Sequence, residues 1–147
     1  MKTVLFALVA LLIVNLALAQ TSEPEDFYTY ISDNLMIPKK ARMSTRDGRY
    51  IVKFKASPDG SITDIEIPKK LGSGYEEETT AVLNATPPNV VLSMITKTSA
   101  TNFVMLIRFD PKGESGTVPM ANASSTPEYY ALREILVTKF KDKQKKD

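Results

Sequence analysis

Three consecutive glutamates, Glu76, Glu77 and Glu78, and a looser acidic set, Asp59, Asp64 and Glu66, come nearest to a chemical constellation in this 147-residue sequence. Paired carboxylates divide general acid and base work only when their side chains converge on one site. Consecutive residues on a helix point about 100° apart, so the three glutamates cannot converge among themselves. They follow Leu71-Gly72-Ser73-Gly74-Tyr75, where a helix is expected to start, and negative charge there complements the positive end of the helix dipole. Ser73 and Glu76 have capping-box spacing. The second set surrounds a hairpin turn, and a calcium ion would need more converging oxygens. Cysteine and histidine are both absent, which removes thiol nucleophiles, a Ser-His-Asp arrangement and zinc sites of the Cys/His type. No glycine-rich phosphate loop leads from a strand into a helix. The residues point to no catalytic site, no metal and no cofactor, and to a protein that acts by binding.

Export is the first expectation about where it binds. Met1-Lys2 is a short positive start, residues 4–16 are apolar except for Asn15, and Ala17-Leu18-Ala19 offers the small residues that a signal peptidase reads. Residues 1–19 therefore read as a signal peptide, and 20–25 as a short polar linker. The alternative is a retained anchor, but a spanning helix needs about 20 apolar residues and this run is shorter. Cleavage of nineteen residues leaves 128, enough for one domain. With Lys2 gone the count is 18 basic against 17 acidic side chains, which argues against a nucleic-acid surface. An exported small domain without disulfides favours a bacterial periplasmic or surface protein.

These properties must be carried by a short series of elements. Phe27, Ile31 and Leu35 form an i, i+4, i+8 stripe, and Pro38 ends the first helix. Tyr50, Val52, Phe54 and Ala56 alternate with Lys53 and Lys55 as a strand, and Ser57-Pro58-Asp59-Gly60 is a strong turn. The returning strand at 62–68 is expected to place Thr63, Ile65 and Ile67 on one face and Asp64 and Glu66 on the other. A helix follows from Ser73 until Pro87-Pro88, and 89–100 reads as either a strand or part of a helix-turn segment. Asn102 to Phe109 is a strand buried for most of its length. After a loop at 111–125, Thr126-Pro127 is expected to open a C-terminal amphipathic helix over 126–147. Its stripe is Tyr129, Leu132, Leu136 and Phe140, and its basic tail carries Lys139, Lys141, Lys143, Lys145 and Lys146. The expected class is α+β, a small antiparallel sheet with packed helices in the order α-β-β-α-β-α.

That order, with the motifs Leu35-Met36-Ile37-Pro38, the strand running into Asp59-Gly60, the glycine step into Glu76-Glu77-Glu78 and a closing strand ending at Phe109, resembles the C-terminal domain of TonB. The similarity covers roughly Phe27 to Phe109, within the domain expected at 26–110. It departs in having no tryptophan and no long proline-rich spacer. The resemblance implies a periplasmic protein-binding module of a Gram-negative bacterium, linked to TonB-type transmembrane transport. Its partner would be a protein or peptide such as a segment of a TonB-dependent receptor, added as a strand to an exposed sheet edge. By that resemblance the edge is Phe103, Val104, Met105, Leu106, Ile107, Arg108 and Phe109. Residues 124–142 could instead fold over this edge and leave an autoinhibited module. Without cleavage the chain would be a membrane-anchored short transducer subunit. Other membrane contact would come through the C-terminal helix, and homodimerisation stays open.

Overall fold

The computed structural model describes residues 23–43, 48–112 and 126–140. The expected signal peptide, residues 20–22 of the linker, most of the 111–125 loop and the 141–147 tail lie outside the described residues. Among the described residues no helix is long and apolar enough to cross a membrane. The fold is α+β. It contains helix α1 (Glu25–Asn34), a 3₁₀ turn (Lys39–Met43), strands β1 (Gly48–Ala56) and β2 (Ile62–Glu66), helices α2 (Tyr75–Asn84) and α3 (Pro88–Thr98), and strands β3 (Asn102–Phe109), β4 (Tyr130–Ala131) and β5 (Ile135–Val137).

The sheet runs β2-β1-β3-β4, with β5 also paired to β3. β1 pairs antiparallel with both neighbours, and its partnership with β3 is continuous from Gly48↔Phe109 to Lys55↔Asn102. Alternation along β1 follows its sequence: Tyr50, Val52, Phe54 and Ala56 are buried, while Ile51 and Lys55 are exposed. The helices lie on the buried side. Phe27, Tyr28 and Ile31 of α1, Tyr75, Val82 and Leu83 of α2, and Val91 and Met94 of α3 join the inward residues of β1 and β3 in one core. Stacked rings cross it, with Phe27 5.9 Å from Phe54 and Phe54 5.5 Å from Phe103. Such pairs add to the area they bury.

Three local outcomes differ from the sequence reading, and one open alternative resolves to a helix. In β2 the register shifts between Lys53 and Lys55, and Asp64 has φ +51°. Thr63 therefore pairs with outward-facing Lys55 and Ile62 with buried Ala56, so Ile62 takes the place expected of Thr63. The bulge turns Asp64 toward Lys55, with Oδ2 and Nζ 2.8 Å apart. At α2 no side-chain cap forms. Gly74 is the cap residue in the left-handed region, and the Glu76 carboxylate accepts from Leu71 N–H and from Gly72 N–H at 3.0 Å. Glu76 thus ties down the loop before the helix. The ambiguous 89–100 segment holds α3, started by Pro88 and closed by left-handed Ser99. Lastly, residues 130–137 hold the two short strands β4 and β5, in place of the helix expected from 126.

Gly60 joins the hairpin to α3. It has φ +85°, and a Cβ there would lie 2.6 Å from Pro88 Cβ and 2.8 Å from its Cα. Both the left-handed conformation and the close approach require glycine. Gly60→Ala is expected to cost about 2 kcal/mol or more, read from urea unfolding with an unchanged slope. A loss below about 0.5 kcal/mol, the range of neutral surface changes, would show that this corner relaxes freely.

Candidate functional site: the covered edge of β3

The strand expected to offer an open edge lies inside the sheet. Phe103, Met105, Ile107 and Phe109 point into the core, and Val104, Leu106 and Arg108 face the other side. One backbone edge of β3 is paired with β1. The other carries the chain's own residues 130–137 in parallel register, with Phe103↔Tyr130, Val104↔Ala131, Ile107↔Ile135, Arg108↔Leu136 and Phe109↔Val137. Leu132 N–H donates to Val104 O at 2.8 Å, and Asp110 N–H to Val137 O at 2.9 Å. Residues 103–109 are thus corrected from an edge strand to an interior one. The reason is their burial: a strand enclosed along most of its length cannot leave a row of N–H and C=O groups unpaired.

The covering segment is not a regular strand. From Ala131 to Ile135 it advances four residues while β3 advances three from Val104 to Ile107. The additional residue lets neighbours diverge. Arg133 reaches toward α1, where its N–H donates to Tyr28 Oη at 3.0 Å, its guanidinium lies 4.0 Å over the Tyr28 ring and Nη2 meets Glu25 Oε2 at 2.8 Å. Glu134 turns to the outer face, 1% exposed. Its Oε1 lies 3.2 Å from Arg49 Nε and 3.6 Å from Arg108 Nε. Beyond β5, Ile37 N–H donates to Lys139 O at 2.7 Å, and Lys139 Nζ lies 3.7 Å from Asp33 Oδ1.

The phase slip sets which residues face inward. Tyr130, Leu132, Ile135 and Val137 do so, at offsets of two, five and seven residues. Of the stripe Tyr129, Leu132, Leu136 and Phe140, whose spacings of three and four residues suit a helix, the core cluster of fully inward residues includes Leu132. Within the expected stripe, Leu132 is fully buried while Leu136 is 39% exposed. Thr126 Oγ1 accepts from Tyr129 N–H at 3.2 Å, as a helix cap would, but only a single turn forms.

On the outer face, residues 126–129 border a groove of about 740 Å³ floored by Ile51, Lys53 and Val104. Ile51 is 43% exposed, and Lys53 Nζ sits 5.0 Å above the Tyr129 ring. Among the described residues no three acidic side chains gather as a metal site. No protein-family model, curated protein or solved structure matches this chain.

The sequence reading missed Arg49, Glu134, Ile135 and Val137. Their signal was a single acid, Glu134, preceding the apolar run Ile135-Leu136-Val137, where β-branched residues favour a strand. Leu132→Ala is expected to cost about 2–5 kcal/mol in urea unfolding, and Leu136→Ala less than about 0.5 kcal/mol. Equal losses would be those of a helical stripe and would contradict the strand assignment.

Burial, as the main cause, pushes the hydroxyls of Tyr28 and Tyr50 well above the ordinary tyrosine range; the Arg133 N–H and Thr79 contacts only partly oppose it. Above about pH 10, where free tyrosine ionises, the unfolded chain releases protons that the folded chain keeps. Their contribution is therefore intact below about pH 10 and is lost as the pH rises through the folded-state values. The urea midpoint should fall between about pH 10 and 12, with tyrosinate absorbance growing in parallel with unfolding. A midpoint that stays level to pH 11 would contradict this.

Proposed function

We propose that this is an exported, non-catalytic protein-binding module of the TonB C-terminal type, whose β3 edge accepts an added strand and is closed in the present state by its own residues 130–137. The observation that carries the reading is the parallel pairing of this segment on β3. The segment is attached in two pieces of two and three residues, whereas β1 holds β3 through eight consecutive partners. A strand arriving from another protein would supply the same backbone hydrogen bonds and could replace the two apolar anchors Ile135 and Val137. The resemblance in sequence supports the same edge, and the leader-like residues 1–19 support a periplasmic setting. There the partner would be an envelope protein, such as a receptor of TonB-dependent transport, engaged once the resident segment withdraws.

The native sequence contains no cysteine, so a disulfide can be introduced without competition. Val104 and Ala131 are facing partners on β3 and β4, and neighbouring strands lie about 4.8 Å apart, within the reach of a disulfide. In a V104C/A131C protein, oxidation should lock the segment in place. A labelled peptide of residues 130–137 should then bind the reduced protein at least about tenfold more tightly than the oxidised one, a difference of about 1.4 kcal/mol. Equal binding in the two states would exclude β3 as the acceptor.

A further inference from the structure

We infer that the β3 edge selects an acidic strand: its occupant must place a carboxylate between Arg49 and Arg108, immediately before two inward apolar residues separated by one outward residue. This rests on the reading of β3 as a strand acceptor and names the partner chemistry of that site. In the resident segment the pattern is Glu134, then Ile135 and Val137, with Leu136 outward.

Slipping an added strand by one residue turns its apolar residues away from the core, so the pleat alone rejects that alignment. A two-residue slip in the direction that moves β5 back along β3 keeps Leu136 outward and Val137 inward, and apolar contacts discriminate weakly against it. Charge does discriminate. The Arg108 side chain is 8% exposed and its Nε makes no hydrogen bond, although Glu134 Oε1 lies 3.6 Å away. That slip would bring Leu136 to the place of Glu134 and remove the carboxylate from both guanidiniums. A buried charge left without its partner is strongly unfavourable.

The same physics discriminates between partners. A strand with glutamine, leucine or lysine at the position of Glu134 would satisfy the backbone and fill the apolar positions, but would leave Arg108 without a counter-charge. Arg49 is better exposed, 43% for its side chain, and stands at the mouth of the site. It can draw in an acidic residue from solvent, while Arg108 holds the inner position. The two arginines come from adjacent strands at paired positions, Arg49↔Arg108, and the β1–β3 ladder therefore fixes their spacing before any strand is added. The fitting partner is an extended acidic peptide of the order acidic, apolar, any, apolar.

The test uses the full chain carrying Glu134→Gln. This variant weakens the resident segment, which otherwise competes at an effective concentration on the order of millimolar, and leaves both arginines in place. Its affinity is measured for the 130–137 peptide and for the analogue with glutamine at its fifth position. We expect the acidic peptide to bind at least about tenfold more tightly, and the preference to vanish when Arg49→Glu is added. Should Glu134→Gln fail to fold, Arg133→Ala serves in its place, because it removes the guanidinium contacts with Glu25 and the Tyr28 ring, keeps the backbone N–H bond to Tyr28 Oη, and does not touch the acidic site. Equal affinity for the two peptides would overturn the selection rule and leave β3 standing as an acceptor. Failure of both peptides to bind either folded variant would overturn the acceptor reading and this inference with it.

Discussion

A buried strand must have both of its backbone edges paired, and β3 imposes this constraint on the whole domain. Six of its eight residues are buried, in the core or under outer-face neighbours, so that water cannot serve as a partner along most of its length. β1 supplies one edge through a continuous ladder. The other edge must come from outside the compact unit formed by α1, the hairpin, α2 and α3, and residues 130–137 provide it. Leu132, Ile135 and Val137 then complete the apolar layer beneath the helices. Arg133 and Glu134 attach the segment to opposite sides of the sheet, one through Glu25 and Tyr28, the other through Arg49 and Arg108. A parallel neighbour cannot arrive through a tight hairpin, so the twenty-residue connection at 110–129 follows from the pairing direction.

The two ways of treating sheet edges within one molecule are instructive. β2 forms one outer border, and there the bulge at left-handed Asp64 and the exposed acids Asp64 and Glu66 disfavour further strand addition. β3 has an apolar sequence with no such device, and is protected by occupancy. Protection of this kind depends on what occupies the edge, whereas the bulge of β2 is built into its own backbone.

Much of the architecture was legible because its signals are local. Pro58-Asp59-Gly60 marks the turn, strict alternation marks β1, and the four-residue recurrence of Phe27, Ile31 and Leu35 marks α1. The bulge was hidden because one left-handed residue reverses the phase of a strand without changing its composition. α3 was ambiguous because Val90-Val91-Leu92 and Met94-Ile95 form an almost continuous apolar run, which carries little period of its own. The C-terminal segment suggests a helix through the three- and four-residue spacing of Tyr129, Leu132, Leu136 and Phe140, yet Leu132 and Leu136 belong to opposite faces of a broken strand. The charged site had the weakest signal: Arg49, Arg108 and Glu134 are brought together only by the sheet register, and nothing near any one of them in sequence announces the other two.

The distance along the chain between the segment and its anchors sets an order of assembly. Arg133 meets Tyr28 and Glu25 across 105 and 108 residues. Contacts of such separation form late, after the local hairpin and helices. While the polypeptide is being synthesised, everything through Phe109 is available before residue 137 has been made. For that interval β3 stands as an apolar strand with one bare side, the kind of surface on which nascent chains associate wrongly. The final step of folding and the shielding of the molecule against stray strands are therefore the same event.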